Sequence, residues 1–191
     1  MKRVIKMQIV FAVITLVLMA LFIVFGVNPR RANATEIQPQ FEDYKWGSTF
    51  DEVKEMIISK GHHMDPRFTQ PDLGTMISSD KILGWEVKVY FHFTPKTQKL
   101  YQVSLSWDEL GTVIVYDSLL RILTKKYGPP EIDKKDEKLY WQRESVSLCL
   151  SLTRTKKKLH LMYLSEKYSK LNMQECSEIA ETQEKEAEDK L

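Results

Sequence analysis

The sequence predicts an α+β fold: a duplicated helix-plus-three-strand unit, built as a two-layer antiparallel sheet with helices on one face. Two observations carry this expectation. An amphipathic helix pattern occurs twice, and a glycine closes each copy. Behind each copy stands a hairpin with two-residue alternation, and the two hairpins superpose without a gap at an offset of 59 residues. A long apolar leader precedes them, so the domain is expected at 35–168, with repeats at 41–108 and 112–166.

The first helix is announced by "YKWGSTFDEVKEMIISKG". Thr49 and Glu52 have the spacing of a capping box, in which each side chain satisfies a backbone donor at the helix start. Phe50, Val53, Met56 and Ile57 then recur at helical spacing, and Gly61 supplies the stop. In "VYDSLLRILTKKYGPP" the grammar repeats. Tyr116, Leu119, Leu120, Leu123 and Tyr127 mark one face, and Gly128 ends it. Before the first helix, Trp46 and Gly47 read as architecture: the glycine lets the chain turn tightly while the indole packs on the sheet.

In "WEVKVYFHF", Trp85, Val87, Val89, Phe91 and Phe93 alternate with Glu86, Lys88, Tyr90 and His92, which predicts one buried and one wetter face. After the turn "TPKTQK", Tyr101, Val103, Leu105 and Trp107 share the inward side. The second hairpin offers Val146, Leu148, Leu150 and Leu152, then His160, Met162 and Leu164. Val87 matches Val146, Phe91 matches Leu150, Leu100 matches Leu159 and Leu105 matches Leu164. Further strands are expected near Gly74–Ser79 and Leu139–Gln142. Each buried Leu, Val or Phe contributes about 1.5–3 kcal/mol, so one hairpin face and one helix face make a viable layer.

This register leaves Leu100, Leu159, Leu161 and Tyr163 on the outward face, beside Tyr90, His92 and Cys149. A solvated face does not ordinarily collect so many apolar groups. Two covers suit them: the chain's own C-terminal segment, through Tyr168, Leu171, Met173 and Ile179, or a partner protein. The contacts expected for a partner are Tyr90, His92, Leu100, Leu161 and Tyr163.

The leader sets the address. Lys2, Arg3 and Lys6 precede the uncharged run Met7–Val27, which as a helix spans roughly 31 Å, close to a bilayer's hydrocarbon thickness. "NPRRANA" follows, with an A-x-A cleavage pattern ending at Ala34. The segment 1–34 is therefore a cleaved signal peptide or a retained membrane anchor, and either delivers the rest of the chain across a membrane. The whole-chain charge is +2, but five positives sit in this segment, so the remainder carries about −3. The tail 169–191, expected to be partly helical, holds much of that excess of acids. A basic nucleic-acid footprint is absent from the exported part.

Cys149 and Cys176 suit an oxidising compartment, where a bridge between them would stabilise by about 3 kcal/mol; two unrelated thiols are the alternative. No catalytic residue, metal site or cofactor is expected. His62, His63, His92 and His160 do not converge in this register, and no G-x-S-x-G elbow, P-loop or paired-carboxylate motif occurs.

"FEDYKWGSTFDEVKEMI" resembles the "F…WG-s-s-eeV" opening of small exported bacterial domains. The doubled helix-plus-strands layout, over Phe41 to Ser165, resembles the β-lactamase inhibitor protein and, more distantly, the SmpA/OmlA outer-membrane assembly lipoproteins. SmpA/OmlA members carry a lipidation cysteine and one set of strands; here no cysteine precedes Cys149. The resemblance implies an exported, non-catalytic binding fold of the bacterial envelope, in the periplasm or held facing it by an inner-membrane anchor, and no particular partner; the expectation of a protein partner rests on the outward sheet face. The competing expectations are a membrane-anchored accessory subunit and an envelope hydrolase of unfamiliar design.

Overall fold

A computed structural model of the chain describes residues 41–107, 112–135, 137–143, 146–153 and 158–190, with backbone alone for 143 and 146–153. The leader 1–34, and Val146, Leu148, Leu150 and Leu152 as core side chains, lie outside that description. The elements in order are α1 (Phe50–Ser59), β1 (His63–Met64), β2 (Thr75–Ile82), β3 (Trp85–Phe93), β4 (Leu100–Trp107), α2 (Thr112–Tyr127), β5 (Glu131–Asp133), β6 (Lys138–Arg143), β7 (Val146–Thr153), β8 (Lys158–Ser165) and α3 (Glu166–Glu188). Two single 3-10 turns, Pro66–Phe68 and Pro71–Leu73, link β1 to β2.

The protein is α+β, and its sheet is antiparallel throughout. Eight strands lie in the order β1-β2-β3-β4-β8-β7-β6-β5, so β4 and β8 meet in the middle. The strands expected from sequence near Gly74–Ser79 and Leu139–Gln142 are β2 and β6. The edge strands β1 and β5 are additions, each too short to leave an alternation pattern.

The capping box forms as its spacing dictates: the Thr49 amide donates to Glu52 Oε2 at 2.7 Å and the Glu52 amide to Thr49 Oγ1 at 3.3 Å. Phe50, Val53 and Ile57 are buried, with Phe50 against Phe93 at 5.1 Å between ring centroids. Gly61 (φ +72°) and Gly128 (φ +85°) turn the chain in the left-handed region after α1 and α2. Trp141 locks the second of these turns by donating its indole N–H to the Gly128 carbonyl at 2.7 Å.

One residue changes the face assignment. In the β3–β4 pair Phe93 stands opposite Leu100, but His92 stands opposite Gln102, so Tyr101 is the extra residue of a β-bulge. Period-two alternation is reset there. Leu100, Val103, Leu105 and Trp107 therefore share the core face, each at most 2% exposed. The β7–β8 pair has no such shift. Val103, Leu105 and Trp107 pair with Tyr163, Leu161 and Leu159, which puts these three on the core face as well.

Three expected partner contacts are thereby corrected. Leu100 (0% exposed), Leu161 (1%) and Tyr163 (8%) are core residues. The gapless superposition holds only to the turn: past it, Val103 corresponds to Leu161, one residue short of the offset expected. His160, Met162 and Leu164, expected inward, take the opposite face. Trp85, also expected inward, is exposed at the strand end.

The helix α3 is one continuous element from Glu166, where a partly helical tail from 169 was expected. It lies against β4, with lesser contact to β7 and β8. Tyr168, Leu171 and Ile179 are half-buried, whereas Met173 is exposed. Cys176 is exposed with a free thiol, and the side chain of Cys149, the other half of the possible bridge, lies outside the described residues. What fixes the helix is Glu175, 3% exposed, whose Oε2 accepts the Lys96 and Thr97 amides at 2.6 and 3.1 Å and whose Oε1 accepts the Thr97 hydroxyl at 2.6 Å.

Candidate functional site

The face opposite the core is where the two remaining expected contacts sit. Tyr90 and His92 alternate with buried Val89, Phe91 and Phe93 along β3, so both point away from the core by strand geometry. Their rings are near-parallel, 8° apart, with centroids at 6.4 Å. The bulge residue Tyr101 adds a third ring, 6.3 Å from His92. Three aromatic rings thus form a half-buried row across β3 and β4.

Polar side chains from the neighbouring strands fix this row. His92 Nδ1 lies 3.2 Å from Thr75 Oγ1 on β2, and its Nε2 lies 3.4 Å from Ser104 Oγ on β4. Gln102 Nε2 donates to Ser104 Oγ at 2.8 Å. Burial lowers the His92 pKa, so the imidazole is neutral at neutral pH and one ring nitrogen accepts. Burial also raises the Tyr101 pKa, with the Cys176 thiol adding to it, so the phenol keeps its proton. The strip therefore presents neutral donors, acceptors and ring faces. Thr75, Gln102 and Ser104 carry no signal in the sequence, because their convergence depends on strand register, whereas Tyr101, expected inward, is brought to this row by the bulge.

A second cluster lies at the β1–β2 edge. Glu42, His62 and Asp80 each turn one ligand-type atom inward, and these atoms lie within 4.8 Å of one another. His62 meets Asp80, with Nδ1 and Oδ1 3.4 Å apart. Lys60 Nζ bridges Glu42 at 2.5 Å and Asp43 at 3.4 Å. Beneath them Tyr44 is 2% exposed, and its pKa is raised first by burial and then by Glu42, Asp80 and Asp43.

A sheet face of this kind makes the protein an α+β domain with a polar-aromatic surface strip. The sequence matches the TP0088 domain over residues 39–175, and the chain belongs to that family. Neither a curated protein nor a solved structure matches it.

Among the described residues no helix is long and apolar enough to cross a membrane.

Proposed function

We propose that the chain is an exported, non-enzymatic binding or assembly module of the bacterial cell envelope, holding a protein partner against the sheet face opposite the core. The observation that carries this reading is the row Tyr90–His92–Tyr101, braced by Thr75, Ser104 and Gln102. Rigid aromatic groups with polar tips cost little conformational entropy on binding, and a well-placed one can carry about 2 kcal/mol. Export is supported by the basic residues before the apolar run Met7–Val27. A duplicated unit is supported by the palindromic strand order, with a helix ahead of each half. The likeness in layout to the β-lactamase inhibitor protein and SmpA/OmlA domains points the same way.

A photo-crosslinking amino acid in place of Tyr90, in cells carrying the full chain, should trap a discrete envelope protein. The same group in place of Glu55, exposed on α1, should not. Equal yield from both positions, or none from Tyr90, sinks the reading.

A hydrolase reading has one observation in its favour, the serine–histidine–threonine chain Ser104–His92–Thr75. A threonine hydroxyl is a weaker partner for a developing imidazolium than the carboxylate of a full triad. Absence of Ser104 labelling by a fluorophosphonate probe would remove this alternative.

A further inference from the structure

We propose that Glu42, His62 and Asp80 form a binding site for a divalent transition-metal ion of the zinc class at the β1–β2 edge. The fold brings these residues together from three separate pieces of chain. Gly61 reverses the chain after α1, and the His62 amide donates to the Ile57 carbonyl at 3.1 Å, which delivers His62 to the sheet edge. His63 pairs with Ser79 in β2, so the next step of the same register sets His62 opposite Asp80. Glu42 comes from the segment before α1, between the buried rings of Phe41 and Tyr44, which stack with centroids 6.0 Å apart. Its backbone is held at φ +53°, uncommon for a residue with a side chain.

The distances suit a metal. Two ligand atoms on a tetrahedral ion at about 2.0–2.1 Å are about 3.3–3.4 Å apart. His62 Nδ1 and Asp80 Oδ1 already stand at 3.4 Å. The widest separation in the trio is bounded by 4.8 Å, and Glu42 is exposed, so a side-chain rotation can close it. Asp80 Oδ1 is oriented from behind by the Lys81 amide at 2.6 Å, the kind of outer hydrogen bond that holds a ligating carboxylate in place. One imidazole and two carboxylates make a nitrogen–oxygen set that suits zinc or cobalt, and three protein ligands leave a fourth position for water or another group.

The charges agree with the distances. Glu42, Asp43 and Asp80 bring three carboxylates to this edge, where Lys60 supplies an ammonium. That ammonium contacts both Glu42 and Asp43, so it can stay on Asp43 while Glu42 turns to a metal. Lys60 is thus the built-in competitor of the ion, and its removal tests the site in a way that a purely structural ion pair would not register.

The test is titration of the untagged full chain with Co²⁺, read by visible absorption, followed by displacement with Zn²⁺. One equivalent should bind with a tetrahedral spectrum. Both His62→Gln and Asp80→Asn should weaken binding at least about tenfold, His63→Gln should leave it unchanged, and Lys60→Met should tighten it. Melting curves of each variant without metal separate loss of ligand from loss of fold. Absence of stoichiometric binding overturns the proposal. So does binding that survives both ligand substitutions in folded protein.

Discussion

The phenol ring of Tyr168 on α3 occupies the space that a side chain on Gly47 would need, so the start of the domain and its last helix are packed through a missing Cβ. The Gly47 amide also donates to the Leu100 carbonyl at 2.9 Å, and its φ is +82°. Gly47→Ala should destabilise the fold by about 3 kcal/mol, combining overpacking with the left-handed backbone penalty. Equilibrium urea unfolding measures it. A loss below about 1 kcal/mol would mean that Tyr168 swings aside freely.

Glu175 ties α3 to the β3–β4 turn. Burial works against its ionisation, but the Thr97 hydroxyl and the Lys96 and Thr97 amides outweigh that effect and lower its pKa. A carboxylate with a depressed folded pKa stabilises the protein above its unfolded pKa, and that contribution disappears as pH falls through the folded value. Stability should therefore drop from about pH 4.5 downward, and Glu175→Gln should flatten that part of the profile while costing about 2 kcal/mol at neutral pH. Chemical denaturation across the acid range provides the comparison. An unaltered acid limb in the variant would exclude this role.

Leu161 sits at the centre of the sheet, opposite Leu105 and 1% exposed. Leu161→Asp should cost about 4 kcal/mol or more, because it places an unpaired charge in an apolar core. The expected observation is loss of the cooperative melting transition in circular dichroism. Tyr90→Ala, on the opposite face, should retain that transition. A Leu161→Asp protein with a near-native melt would contradict the register described above.

Trp141 is 3% exposed and reaches back to the Gly128 carbonyl. Trp141→Phe keeps a ring in the core and leaves that carbonyl without the indole donor. The expected loss is about 1–2 kcal/mol by thermal or urea unfolding. Stability equal to that of the parent chain would show that the hydrogen bond is replaced by solvent without penalty.

Much of the secondary structure could be read from the chain because its causes are local. The Thr49–Glu52 box, the stops at Gly61 and Gly128, and the alternation along β3 each depend on residues a few positions apart. The same alternation misled beyond Lys99. The bulge adds one residue, Tyr101, on β4 at a place decided by pairing with β3, so an alternation or a repeat offset carried across it assigns the wrong face. That is why Leu100, Leu161 and Tyr163 read as surface and proved to be core, while Tyr101 moved the other way.

The candidate sites were less legible for a related reason. Tyr90 and His92 could be placed by their own strand, but their partners Thr75 and Ser104 come from its neighbours. Glu42, His62 and Asp80 are about twenty residues apart in steps along the chain, and none belongs to a recognisable metal motif.

By itself the sequence determined the α+β class, the capping box that starts α1 and the glycine stops after α1 and α2, since hydrophobic periodicity and capping chemistry act over single turns. Only the tertiary structure decided which face of β4 and β8 is core, where α3 docks, and which polar groups converge. Those outcomes depend on cross-strand register, which is settled when strands from distant parts of the chain pair and bury their apolar sides together.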